Sequence, residues 1–169
     1  MQKAKQRSEI AQQDKWRIED IYATDEAWEA DYNECIRRAK EKCVYQGRLA
    51  ESAQILYQAL KESDEADLLV EHVYVYAFMK YYEDTANAVY QEMSGRAQAA
   101  VTKLSEKYAF LTPEILAIDQ KKMQEYLSSD TLALYRHALE DILAKKRTCP
   151  FRKRGTPACN GRAGDGFTE

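Results

Sequence analysis

The sequence predicts an all-α fold, an antiparallel bundle of about five to seven helices, and three features of the chain lead there. Apolar residues recur at three-to-four spacing through most of its length, residues that start and stop helices punctuate that pattern, and only a few residues separate one periodic stretch from the next. Connections that short bring consecutive helices back against each other.

Taken in order, residues 1 to 22 form a polar, extended lead. Behind the acidic first turn Asp25-Glu26, which complements the helix dipole, Trp28, Tyr32, Cys35, Ile36, Ala39 and Cys43 recur on one face, and Gly47 ends this helical region. A second helix is expected from Glu51 to Lys61, carrying Ala53, Leu56 and Leu60. Ser63-Asp64-Glu65 then reads as a break and a new start, before Leu68, Leu69, Val73, Tyr76 and Ala77 on a third. The longest helix is expected from Thr85 to Leu111, capped by Asp84, with Tyr90, Met93, Ala97, Ala100, Val101, Leu104, Tyr108 and Leu111 on its stripe. Short helices follow from Pro113 to Ile118 and after Asp119. A last helix carries Leu132, Tyr135, Leu139, Ile142 and Leu143.

Length and composition bound what this bundle can be. A chain of 169 residues with 45% hydrophobic and 31% charged residues suits one compact core. No apolar run reaches the roughly 20 residues that span a bilayer, and Met1 to Arg7 leads into polar sequence, so a cytoplasmic protein with no membrane partner is expected. Cys35 and Cys43, eight apart on a helix, would lie about 12 Å apart along its axis, too far for a disulfide. Both read as small core residues.

The net charge of −3 conceals a division. Residues 147 to 169 carry five basic groups against Asp165 and Glu169, whereas residues 1 to 146 carry 20 basic against 26 acidic. That tail also holds four of the six glycines, Cys149 and Cys159, and none of the twelve tyrosines. Residues 23 to 146 are therefore expected to form the helical lobe and 147 to 169 a disordered end. Its basic cluster, Arg152-Lys153-Arg154, is too small a counterion-release signal to make nucleic acid an expected partner.

No catalytic, cofactor-binding or metal-ligating residue is assigned. The two histidines, His72 and His137, form no H-E-x-x-H pair, the spacing that puts two imidazoles on one helix face. His137 lies off the apolar stripe and reads as solvated; His72, beside Val73 and Tyr76, reads as partly buried. There is no G-x-S-x-G elbow and no phosphate-cradling loop. Glu83 and Asp84 read as helix-terminal charges. Tyr74, Tyr76, Tyr81 and Tyr82 cannot all face one core, so some of these rings must meet solvent, a peptide or another domain.

Four stretches carry a family resemblance: Lys15-Trp16-Arg17-Ile18-Glu19-Asp20-Ile21-Tyr22 followed by Ala27-Trp28; Tyr76-Ala77; Glu83-Asp84-Thr85-Ala86-Asn87 with Tyr90-Gln91; and Tyr135-Arg136-His137-Ala138-Leu139-Glu140-Asp141. In order and spacing they resemble the W-D-L-S-D-I-Y opening, the D-E-D-T-x-N segment and the Y-R-H-x-L-E-D helix of oligoendopeptidase F. Arg17-Ile18-Glu19 departs from the usual D-L-S. The resemblance covers residues 7 to 146. It implies a non-catalytic helical lobe that packs on a missing carboxy-terminal catalytic domain and walls a channel for short peptides. Zinc and its H-E-x-x-H helix belong to the full-length family, and neither maps to any position here, so no activity is expected of this chain alone. The alternative is a stand-alone helical module that binds protein or peptide through its tyrosine face.

The composition boundary has a candidate cause: a product truncated and frameshifted after Lys146. If Lys145, Lys146 and Arg147 are encoded AAA-AAA-AGA, removing one A lets permitted codons read Glu-His-Val-Leu-Ser-Glu-Lys-Glu-Glu-Arg-Leu-Leu. That stretch has a Ser-x-x-Glu capping box before an apolar turn and resembles the family's continuation. Nucleotide sequencing across Lys145 to Arg147 is expected to show an adenine run, with an H-E-x-x-H codon series downstream in the alternative frame. A run interrupted by another base would sink the hypothesis.

Overall fold

The computed structural model describes residues 9–148. Its described residues contain six α-helices and short 3-10 turns and no strand, so the all-α expectation holds. Helix α1 spans Asp25–Lys40, α2 Ala53–Glu83, α3 Ala88–Tyr108, α4 Leu111–Ala117, α5 Gln120–Ser128 and α6 Arg136–Thr148, with a 3-10 segment over Asp130–Tyr135. Helices α1, α2 and α3 pack mutually, and the 3-10 segment joins α5 and α6 to the flank of α2.

The starts follow from local chemistry. Thr24, Ser52, Asn87, Asp119 and Ser129 each accept a backbone N–H two or three residues ahead, supplying partners that the first turn lacks. Asp119 starts α5, as its place in the sequence predicts; the cap of α3 is Asn87 rather than Asp84. The Asp84 carboxylate instead accepts the N–H of Ala86 at 3.1 Å, inside the turn between α2 and α3.

Several boundaries depart from the expected ones: the longest expected helix, Thr85 to Leu111, is shorter as α3, and Leu111 opens α4 in place of Pro113. The region ending at Gly47 is helical only to Lys40, because the Lys107 ammonium and the N–H of Glu41 both bind the Arg38 carbonyl, closing the last turn early. Cys43 therefore lies beyond α1, yet it is buried, as is Cys35, and both are free thiols. Gly47 (φ 81°) takes the left-handed conformation in the loop that follows and donates to Glu114 at 2.7 Å.

The second and third expected helices are one. Ser63-Asp64-Glu65 does not break α2, since Ala59, Ser63, Ala66, Val70 and Val73 are buried along one continuous face. The small Ser63 fits that face, and Asp64 accepts the Tyr135 hydroxyl at 2.7 Å instead of capping a new helix. The last helix, by contrast, is divided: Leu132 and Tyr135 belong to the 3-10 segment and Leu139 to α6, with all three still buried.

The lead is not extended where it is described. Two 3-10 turns, Gln12–Asp14 and Ile18–Asp20, draw it onto the bundle, and Ile18 and Tyr22 join the core. Helix α6 reaches Thr148, two residues past the composition boundary at Lys146. The tail from Cys149 onward, with Cys159 and Arg152-Lys153-Arg154, lies outside the described residues.

Trp28 is the pin of the three-helix unit. It is 1% exposed and donates its indole N–H to the Val73 carbonyl at 2.8 Å, tying α1 to the middle of α2. Its ring stacks on Tyr32, and the Arg96 guanidinium of α3 lies over both rings while pairing with Glu29. Trp28→Ala is expected to cost about 3–5 kcal/mol, the usual loss when a buried aromatic leaves a cavity. Urea unfolding of the full chain measures it, and a change no larger than that of a surface substitution would contradict the central role of Trp28.

Candidate interaction face on the second helix

The residues singled out for chemistry do not converge. His137 is 90% exposed at its side chain and sits 3.8 Å from Asp141, as a solvated position should. His72 is exposed rather than half-buried, because it projects from α2 about 100° around from its buried neighbour Val73. One imidazole is on α2 and the other on α6, and among the described residues no three His, Cys, Asp or Glu side chains group as metal ligands. Burial first, and then Asp31, push the Cys35 thiol up to about 11, which keeps it protonated and unreactive.

The tyrosines separate into two populations. Tyr22, Tyr76, Tyr108 and Tyr135 are buried rings that donate to Asp31, Asp25, Glu62 and Asp64 at 2.7, 2.8, 2.9 and 2.7 Å. Burial, reinforced by the hydrogen bond to a carboxylate, pushes each of these phenols well above its ordinary value. They are fixed, neutral donors that clamp the lead, the 3-10 segment and the helices to one another. The Asp25 carboxylate is raised by its own burial, but the Lys80 ammonium and the Tyr76 hydroxyl outweigh this and hold it below the ordinary range.

The second population lies on the outer half of α2. Tyr74 stacks on Phe78 at 4.2 Å between centroids, and Phe78 meets Tyr81 and Tyr82 at 6.3 and 6.0 Å. Tyr74, Phe78 and Tyr81 are half-buried, none is among the side chains packed on the hydrophobic core, and Tyr82 is 62% exposed. These rings shelter one another while presenting aromatic surface outward, as the sequence required of part of the tyrosine set. Phe78, the ring that joins them, was not singled out from the sequence, although its i+4 spacing from Tyr74 marks it.

The same face continues toward the start of α2 as carboxylates. Asp64, Asp67 and Glu71 precede Tyr74 at spacings of three, four and three residues, so acids and rings share one side of the helix. Asp64 is held by Tyr135, but among the described residues Asp67 and Glu71 have no salt-bridge partner. Burial against the helix, then repulsion from Asp64 and Glu71, raise the Asp67 carboxyl above its ordinary value. The arrangement can bind; it holds no nucleophile and base in reach of each other.

Comparison with known proteins follows the same outline. The sequence profile of the Oligopeptidase F family matches residues 114–148. The chain is 37% identical over 141 residues to oligopeptidase PepF of Bacillus subtilis, covering 83% of this chain and 21% of that protein. It is 36% identical over 148 residues to an oligoendopeptidase F homologue of Lactococcus lactis, covering 85% of this chain and 24% of the relative. The chain thus spans between a fifth and a quarter of these relatives' length. Among solved structures, oligoendopeptidase-F of Enterococcus faecium superposes with a TM-score of 0.67 at 28% identity, over 72% of this chain and 24% of that one. A Chlamydophila abortus structure shares the fold, with a TM-score of 0.76 over 92% of this chain and 26% of its own.

Because the ionised form of Asp67 is disfavoured in the fold, its charge destabilises above the folded carboxyl's titration and costs nothing below the unfolded one. Asp67→Asn is therefore expected to stabilise the chain at pH 7 by about 0.2–0.5 kcal/mol, the solvent-screened scale of like-charge pairs on an exposed helix face. The gain should vanish once both states are protonated in acid. Thermal unfolding of the two proteins across pH checks the sign, and a loss of stability at pH 7 would show that a cation does offset this carboxylate.

Proposed function

Because this chain carries the amino-terminal region of the oligoendopeptidase F family, we propose that it forms the non-catalytic helical lobe of a zinc metalloendopeptidase that hydrolyses short peptides. One observation carries the reading: the similarity runs through 141 residues, 83% of this chain, yet takes up only 21% of the relative. The metal and the catalytic groups would then lie in the remaining part of such an enzyme. In this role the lobe packs on the catalytic domain and helps wall the channel by which peptides enter, and it needs no ligand of its own. Residues 147 to 169, read as out of frame, would add nothing to it.

The described side chains are consistent with a scaffold rather than a site. Several ionisable groups between the helices are engaged in helix-to-helix bonds: Lys107 with Glu62 and the Arg38 carbonyl, Lys80 with Asp25, Tyr108 with Glu62. Rigid polar pairing of this kind holds a wall in shape. A stand-alone binding module shares the exposed rings of α2, and it differs in requiring no second domain.

The test is a transplant. Residues 1 to 146 of this chain replace the corresponding stretch of Bacillus subtilis oligopeptidase PepF, and cleavage of a quenched fluorescent peptide is followed with zinc present and after chelation. The chimera is expected to cleave in a zinc-dependent way, and this chain alone to be inert under both conditions. A folded but inactive chimera, or cleavage by the chain alone, would overturn the proposal.

A further inference from the structure

The bundle covers α2 unevenly, and the uncovered part has a definite chemistry. Along the first half of α2 the 3-10 segment lies against the helix, with Tyr135 meeting the ring of Tyr57 and donating to Asp64. One turn further on, Asp67 and Glu71 are exposed, and the face continues as Tyr74, Phe78, Tyr81 and Tyr82. The rings pack on one another at 4.2 to 6.3 Å and not on the core.

We propose that this open stretch of α2 is a docking face for a basic, apolar-faced helical segment contributed by the remaining part of the peptidase. The proposal rests on the peptidase reading above and specifies the partner surface that reading leaves undefined. Charge complementarity names the occupant. Two exposed carboxylates without an ionic partner among the described residues, with Asp64 beside them, make the near end of the face acidic. A segment that laid lysines or arginines there and aliphatic side chains across the rings would neutralise the acids and cover the aromatic surface in one contact. An acidic partner would add repulsion to a face that already repels itself.

Continuity supports the same assignment. The 3-10 segment already binds this side of α2 through one ring pair and one carboxylate, so the proposed partner would prolong an existing interface by the same two kinds of contact. Material to cover it is at hand in such enzymes, because more than three-quarters of the length of the relatives lies outside the similarity. The raised carboxyl of Asp67 agrees with a group that lacks its cation.

The direct test uses the full chain and two synthetic amphipathic helical peptides with identical leucine faces, one with lysines on the polar face and the other with glutamates. Isothermal titration calorimetry is expected to show binding of the lysine peptide only. Raising the salt from 0.05 to 0.5 M should weaken it roughly tenfold as exposed charges are screened. The double variant Asp67→Lys with Glu71→Lys should lose at least roughly tenfold in affinity. Both side chains are exposed, so folding is not at risk, and Phe78→Ala independently removes the ring that links the aromatic row. Equal binding of the two peptides, no binding of either, or unchanged binding by the charge-reversed chain would overturn the proposal.

The chimera identifies the occupant. Asp67→Lys with Glu71→Lys in the active chimera is expected to lower its melting temperature and its peptidase rate. An active chimera indifferent to both substitutions would sink the docking face and leave the proposed function standing. An inactive chimera, beside a chain that still binds the lysine peptide, would sink the peptidase reading and the occupant named with it.

Discussion

The continuity of α2 is the constraint on which the rest of the structure depends. A helix of 31 residues runs about 46 Å at 1.5 Å per residue, longer than any other element here, and each neighbour is placed by the part of it that the neighbour covers. Helix α1 docks where Trp28 reaches the Val73 carbonyl, and the 3-10 segment docks where Tyr135 reaches Asp64. Had the helix broken at Ser63, the two halves could have turned independently and these anchors would not lie on one rigid axis. The buried row Ala59, Ser63, Ala66, Val70 and Val73 keeps it whole, because helical continuation buries all five while a turn would expose some of them.

Polar anchors fix the register that apolar packing alone leaves loose. Hydrophobic burial is non-directional, so a bundle of Leu, Ala and Val faces can slide by a residue at modest cost. A tyrosine hydroxyl or an indole N–H that must find an acceptor cannot slide without losing it. Tyr22 with Asp31, Tyr76 with Asp25, Tyr108 with Glu62 and Trp28 with the Val73 carbonyl therefore specify one arrangement of the helices. Among the described residues the outer rings of α2 have no such anchor, and that difference separates scaffold from candidate surface more sharply than exposure does.

Much of the fold was legible because helical periodicity is a local property. The stripe Met93, Ala97, Ala100, Leu104 and Tyr108 is buried as its spacing demands, and Asp119 starts α5 as its side chain favours. The misread positions are those where a distant group decided the outcome. Ser63-Asp64-Glu65 has the composition of a helix start, and only Tyr135, 71 residues away in sequence, gives Asp64 another use. Gly47 has the composition of a helix stop, but Lys107 had already closed α1 at Arg38. His72 looked buried because Val73 and Tyr76 are, which treats neighbours in sequence as neighbours on a helix face. The candidate face was half legible: four tyrosines crowded on one segment signalled that some must face outward, whereas which ones do depends on where α1 and α3 cover α2.

By itself the sequence determined the helical class, the apolar stripes, the likeness to oligoendopeptidase F and the want of a metal-binding histidine pair, since each is carried by residue identity and spacing along a few turns. The tertiary structure alone decided that two expected helices are one, that the lead joins the core through Ile18 and Tyr22, and that Asp67, Glu71 and the rings beyond them remain uncovered. The physical reason is the same in each case. A side chain's preference acts within a turn or two, but its burial and its hydrogen-bond partner are set by groups that folding brings from far along the chain.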